Sequence, residues 1–231
     1  MTRHELIARY KTGQRDFSYI NLTGANLAEI ILVGANFHGA NLAGAKLERT
    51  TLEGADLSDA NLEGANLREA YLEGVDLRYT NLKGVDFTGA NLAGAILKEV
   101  NLRGANLAAT NLQGANLSGA YLRRVILAGA DLTEAKLEGA DLSGAYLTRA
   151  NLTGANLRYT IGNNKEINNI LLETYMITKY KNILAIECQQ FTIKEWFAFS
   201  HDEIEVMGTT VLQWWIKHKN TIKQWCQIVG D

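Results

Sequence analysis

Residues 40–64 read ANLAGAKLERTTLEGADLSDANLEG, with a leucine at 42, 47, 52, 57 and 62. Followed outward in both directions, the step of five runs from Phe17 to Leu157. It gives 29 consecutive Leu or Phe residues, with Phe only at 17, 37 and 87, and no insertion or deletion interrupts it. Two residues before each centre, after the first, stands a small or β-branched residue such as Ala25, Ala45, Thr50 or Val85. The residue just before each centre is mostly Asn or Asp, as at Asn21, Asp56, Asp76, Asn101 and Asp141.

An α-helix turns about 100° per residue, so a step of five would scatter these leucines around its circumference. A strand alternates faces, so an odd step would throw successive leucines to opposite sides. One core can collect them only if the chain turns once every five residues, always in the same sense. The glycines set the number of turns per coil. Two residues after alternate centres, at positions ending in 4 from 24 to 154, Gly fails only at Arg124 and Glu134; at positions ending in 9 it is a minority. This rhythm of ten predicts two alternating kinds of corner, one tolerating side chains and one preferring Gly because its turn needs φ > 0. An even number of corners then keeps like above like. Four corners enclose enough area for leucines, giving about 20 residues per coil, a little over seven coils and, at about 4.8 Å per rung, a rod of roughly 35 Å.

The motif seen as Ala-Asn-Leu-Ala-Gly at 40–44 and Ala-Asp-Leu-Ser-Gly at 140–144 resembles that of the pentapeptide-repeat family, over about residues 15–160. The resemblance implies a mainly β fold, a right-handed quadrilateral β-helix with Leu and Ala inside. Three domains are expected: a capping helix over 1–14, the β-helix over 15–160 and a small α+β module over 161–231. Both ends of a solenoid expose unpaired backbone and apolar side chains. Thr2 and Glu5 have capping-box spacing, and Leu6, Ile7 and Tyr10 form an apolar stripe, so a short helix is expected over the first coil.

After Tyr159 the beat stops. Residues 161–165 read as a linker, and Leu171–Tyr180 and Ile183–Glu187 read as two strands of a hairpin turning at Lys181 and Asn182. Thr192–Phe199, His201–Met207 and Thr209 to about Val229 read as helices, the last with a candidate break near Asn220. All four tryptophans fall in this tail, which is expected to pack as a cap on the last coil. Its Trp-rich stretch resembles a segment found at the end of some bacterial pentapeptide-repeat proteins.

Net charge is −2 across 231 residues, and residues 16–160 hold 16 acidic against 12 basic side chains. That balance argues against direct nucleic-acid binding and against a uniformly acidic nucleic-acid mimic. No apolar run approaches a membrane span or a signal-peptide core, and both cysteines, Cys188 and Cys226, lie outside the repeats, so a cytoplasmic protein with free thiols is expected. Cys188, His201, His218 and Cys226 match no zinc-site spacing and read as core residues. No nucleophile, phosphate-loop or metalloprotease motif occurs, so neither an enzyme nor a cofactor is expected.

Outward residues 20 apart stack. Lys83, Arg103 and Arg123 form a basic ladder, with Arg124 beside its end and Arg78 and Lys98 on an adjacent side; Glu48, Glu53, Glu63, Glu69 and Glu73 come about two coils earlier. Like charges about 4.8 Å apart repel. The ladder therefore predicts contact with an acidic partner surface, against the plainer reading of solvated side chains balanced by Asp86 and Glu99. Ile31, Thr51 and Tyr71 stack on one side, and Ile126 and Tyr146 on another with Tyr121 a corner away. With Trp214 these are candidate apolar contacts or simple side ladders. The function read from this is a non-enzymatic scaffold binding an unidentified protein, as a monomer or an end-to-end homodimer. The alternative is the family's DNA-mimic role, modulating or protecting a type II topoisomerase.

Overall fold

The computed structural model describes residues 1–163, 167–172, 175–186 and 189–228. They fall into two compact units, Met1–Asn156 and Leu157–Asp231.

In the first unit the five-residue beat becomes four ladders of parallel pairs, each residue facing the one 20 positions on. They begin Asp16↔Asn36, Asn21↔Asn41, Asn26↔Lys46 and Ile31↔Thr51. Four ladders make four walls, so the coil is four-sided. The centres turn inward and are almost fully buried, from Leu152 at 4% exposed to Leu92 at 0%. Successive coils bond through their backbones, as in Leu42 N–H to Asn61 O at 2.7 Å and Asn61 N–H to Ala40 O at 2.9 Å. Ala occupies most of the second inward column because the chain bends tightly there. Where Thr replaces it, at 50, 80 and 110, the buried hydroxyl donates to the carbonyls of Leu27, Leu57 and Phe87 at 2.7, 2.8 and 3.0 Å. A polar atom in an apolar interior is thereby satisfied.

The corners differ from the expectation of two alternating kinds. Every corner from Tyr19 to Tyr159 has φ between +52° and +70°, whether it carries Gly or not. All but those into Ile20 and Ile30 close with a bond such as Ala45 N–H to Leu42 O at 3.0 Å, and all share a left-handed third residue of type II character. The rhythm of ten therefore records what occupies the corner columns and not two backbone geometries. Some of those glycines are set by neighbours: the Tyr19 ring lies 2.6 Å from where a Cβ on Gly39 would stand, and Glu99 Cγ lies 3.0 Å from one on Gly119.

Helix α1, Arg3–Lys11, starts at the expected capping box: Thr2 Oγ1 accepts from Glu5 N–H at 3.2 Å and Thr2 N–H donates to Glu5 Oε2 at 2.8 Å. Those bonds hold the Glu5 carboxyl below its ordinary range. Leu6 is buried. Arg3 Nη1 donates to the carbonyls of Asn26 and Ala28, and Tyr10 Oη to that of Val33 at 2.9 Å, so the helix is bonded to the first coils.

The second unit carries a four-stranded antiparallel meander, β1 Ile167–Leu172, β2 Tyr175–Tyr180, β3 Ile183–Ile186 and β4 Gln189–Thr192. The stretch read as one strand over Leu171–Tyr180 divides between β1 and β2, because period-2 patterning cannot tell one strand from two paired ones. Lys181 and Asn182 do form the turn between β2 and β3. Among the described residues three helices follow, α2 Ile193–Ala198, α3 His201–Met207 and α4 Thr209–Ile228, the last passing Asn220 unbroken. The end residues 164–165 of the linker, Glu187, Cys188 and Val229 lie outside the described residues. The core of this unit gathers Ile177, Leu184, Ile186, Trp196, Ile204, Trp214, Trp215 and Ile222, with Trp196 Nε1 donating to Leu184 O at 2.7 Å. Among the described residues no helix is long and apolar enough to cross a membrane.

Candidate functional site: the walls of the coil

On each wall, most residues just before a centre are Asn or Asp whose Oδ1 accepts the backbone N–H two positions on, as Asp56 does from Ser58 at 2.9 Å and Asn81 from Lys83 at 3.3 Å. Asn side chains also bond up the ladder, Asn81 Nδ2 to Asn61 Oδ1 at 3.0 Å and Asn111 Nδ2 to Asn91 Oδ1 at 3.0 Å. The side chain that points outward thus belongs to a bonded lattice, and what projects beyond it sits at the corners.

The six cations singled out from sequence frame one wall. Its centre is the ladder Asn81↔Asn101↔Tyr121. The corner residues Arg78 and Lys98 line one edge, and Lys83, Arg103, Arg123 and Arg124 the other, all exposed. Four of them have acidic partners: Arg78 with Asp76, Lys83 with Glu63 at 3.0 Å, Lys98 with Glu99 at 3.4 Å and Arg123 with Asp141 at 3.7 Å. The bonds from Arg78 and Lys83 hold the Asp76 and Glu63 carboxyls below their usual range. Among the described residues no carboxylate comes within ion-pair reach of Arg103 or Arg124. Lys83, Asn101, Arg103, Gly104 and Arg124 line a shallow depression. Asp86, expected to balance this ladder, instead takes Arg68 at 3.3 Å on another wall.

The five glutamates do not form one acidic cluster. Glu63 joins the basic edge, Glu69 pairs with Arg49 at 2.8 Å, Glu48 accepts from Asn66, and Glu53 and Glu73 share a further corner column. Residues close in a repeat sequence are separated by the corners between them.

Ile31, Thr51 and Tyr71 are consecutive in one ladder, with Ile31 65% and Tyr71 49% exposed; Ile126 faces Tyr146, and Tyr121 stands on the preceding wall. Trp214 is not a surface residue. It is 5% exposed, its ring 5.1 Å from His218, because α4 turns it into the core. Burial pushes the Cys226 thiol up, and His201 lies exposed at the start of α3; among the described residues no group of three His, Cys, Asp or Glu could hold a metal ion. The sequence reading passes over one linked set: His38 Nε2 meets Tyr19 Oη at 3.1 Å and His38 Nδ1 meets Ser58 Oγ at 3.0 Å. The spacing of 20 between His38 and Ser58 is the signal that would have found it.

Twenty-residue ladders, four walls and an interior of leucine define a stacked-repeat β-solenoid. The family model described as pentapeptide repeats (8 copies) matches residues 16–54, 55–94, 86–124 and 126–160, over half the chain. The chain belongs to the pentapeptide-repeat family. Its similar solved structures include HetL from the cyanobacterium Nostoc sp. strain PCC 7120, involved in heterocyst differentiation regulation (28% identical, covering 71% of this chain and 98% of that one, TM-score 0.32). They include a trypsin-treated QnrB1, a plasmid-mediated fluoroquinolone resistance protein (21%, 64% and 85%, TM-score 0.32). A third is alr5209, a pentapeptide repeat protein from Nostoc PCC 7120 (38%, 41% and 80%, TM-score 0.26). Comparison with curated proteins returns no match.

Proposed function

We propose that the chain is a non-enzymatic, cytoplasmic scaffold whose rigid walls hold a protein partner. The rod runs for a little over seven coils, and α1 closes its N-terminal end. The observation that supports this most is the continuity of the lattice: from Phe17 to Leu157 no loop interrupts the walls, so charged and aromatic side chains stand at fixed intervals of about 4.8 Å. Such a surface offers recognition without a cleft. Partner capture by the full chain, compared with variants in which one wall at a time has its charges reversed, tests the reading. Loss on reversal of a single wall is expected; capture indifferent to every wall refutes it.

The alternative is a DNA-mimic modulator of a type II topoisomerase. QnrB1, a fluoroquinolone resistance protein, has a related fold, but a mimic of duplex DNA needs a continuous acidic surface, and here six cations occupy one wall. In a gyrase supercoiling assay the added protein is expected to leave the reaction unchanged. A change that tracks its concentration would favour the mimic.

A further inference from the structure

On the basic wall the inter-coil bonding is weakest at one rung. Asn81 and Asn101 still face each other as a parallel pair. Yet the amides of Tyr79, Leu82 and Gly84 do not reach Lys98, Asn101 and Arg103 with hydrogen-bond geometry, nor does the Asn101 amide reach Thr80. From Phe17 to Leu137 the other rungs keep these bonds among the described residues, at 2.7–3.1 Å. The Asn side-chain ladder stops there too: Asn61 and Asn81 bond to the coil before, at 3.4 and 3.0 Å, and Asn101 does not.

Two causes coincide at this rung. Inside, Thr80 stacks on Val100 in a column that holds Ala at 40, 60, 120 and 140, and the corner bond into Val100 lengthens to 3.5 Å against 3.0 Å at Ala120. Outside, like charges face each other across both edges, Arg78 above Lys98 and Lys83 above Arg103. Arg124 adds a further cation in a corner column that is otherwise Gly from 24 to 144, held at φ +57°. A side chain kept in such a backbone next to an unpaired Arg103 points to a use for its charge.

Resting on the scaffold reading, we infer that this wall docks an acidic protein segment lying along the axis over Asn81 and Asn101, and that docking tightens the loosened rung. Carboxylates between the two edges take the forks of Arg103 and Arg124 and relieve the remaining repulsion among the cations at this rung. The cations are local, with Asp59 and Glu63 before them and Glu138 and Asp141 after. A long polymer of uniform charge, such as duplex DNA, would overrun onto like charge at either end, whereas a short acidic stretch in a mixed protein surface would not.

The full-length chain is titrated with an oligoglutamate peptide of about eight residues, enough to span the wall when extended, at low ionic strength and at about 0.15 M. Amide exchange is read in the same samples. In the free protein the amides of Leu82 and Gly84 should exchange faster than those of Leu62 and Gly64. Expected on titration are salt-sensitive binding, slowed exchange at Tyr79, Leu82, Gly84 and Asn101, and roughly tenfold weaker binding when Arg103→Glu and Arg124→Glu are combined. Arg124→Gly, which relaxes its corner and keeps the fold, should weaken binding in the same direction, and Glu53→Lys with Glu73→Lys should leave it unchanged. No binding, binding untouched by the arginine changes, exchange that does not slow, or tighter binding of a duplex oligonucleotide of equal charge would each overturn the inference. Should the peptide fail while single-wall reversal still abolishes partner capture, only this inference falls and the scaffold stands.

Discussion

Replacing Arg124 by Gly should stabilise the repeat unit. At φ +57° the arginine occupies a left-handed corner, which costs a residue with a Cβ about 1–2 kcal/mol. Glycine removes that cost but loses about 0.5–1 kcal/mol more conformational entropy on folding. From the middle of these ranges the net gain is about 0.75 kcal/mol, a rise of roughly 1.5–3 °C in thermal midpoint for a chain of this size. Room is not limiting, because the column holds Gly at 104 and 144 on either side. Two companions separate backbone from charge. Arg124→Ala removes the cation while keeping the strained corner, and should gain far less. Glu134→Gly, at φ +58° in the other glycine-rich column, removes a charge of opposite sign and should gain about as much as Arg124→Gly. Thermal unfolding followed by far-UV circular dichroism reads all three. Equal gains for Arg124→Ala and Arg124→Gly, or no gain from Glu134→Gly, would refute the assignment of strain to the corner backbone.

Leu92→Ala, at a fully buried centre in mid-rod, should cost about 2–5 kcal/mol, measured by denaturant titration, because neighbouring coils are tied by backbone bonds and cannot collapse into the gap. Trp196→Phe should cost about 1–3 kcal/mol by leaving the buried Leu184 carbonyl without its indole donor, in the same titration. The Asp131 carboxyl is lowered by its side-chain and backbone bonds from Thr133. A folded value below the unfolded one means that its contribution is present above about pH 4 and disappears as pH falls through the folded value. Asp131→Asn, which keeps the Oδ1 acceptor, should therefore flatten part of the acid loss in a pH series of unfolding midpoints. A series unchanged by the substitution would remove Asp131 from that loss.

Much of the candidate site was legible once the coil length was known. The stacking of Lys83 on Arg103 on Arg123, and of Ile31 on Thr51 on Tyr71, is arithmetic on a spacing of 20. The same arithmetic grouped five glutamates that the corners in fact separate, because nearness along a winding chain is not nearness on a wall. It also offered Trp214 as a contact, since hydrophobicity alone does not tell an exposed anchor from a core residue on a short amphipathic element.

By itself the sequence determined that the chain winds, how many corners each coil has and which side chains face inward, because only one periodic path buries a leucine every five residues. The tertiary structure alone decided the conformation of the corners, the pairing of each cation and the weakening of the rung between Asn81 and Asn101. Those depend on what lies 20 residues away across a gap of about one strand spacing. There, the stacking of Thr80 on Val100 and of like charge on like charge outweighs a local sequence that looks like every other repeat.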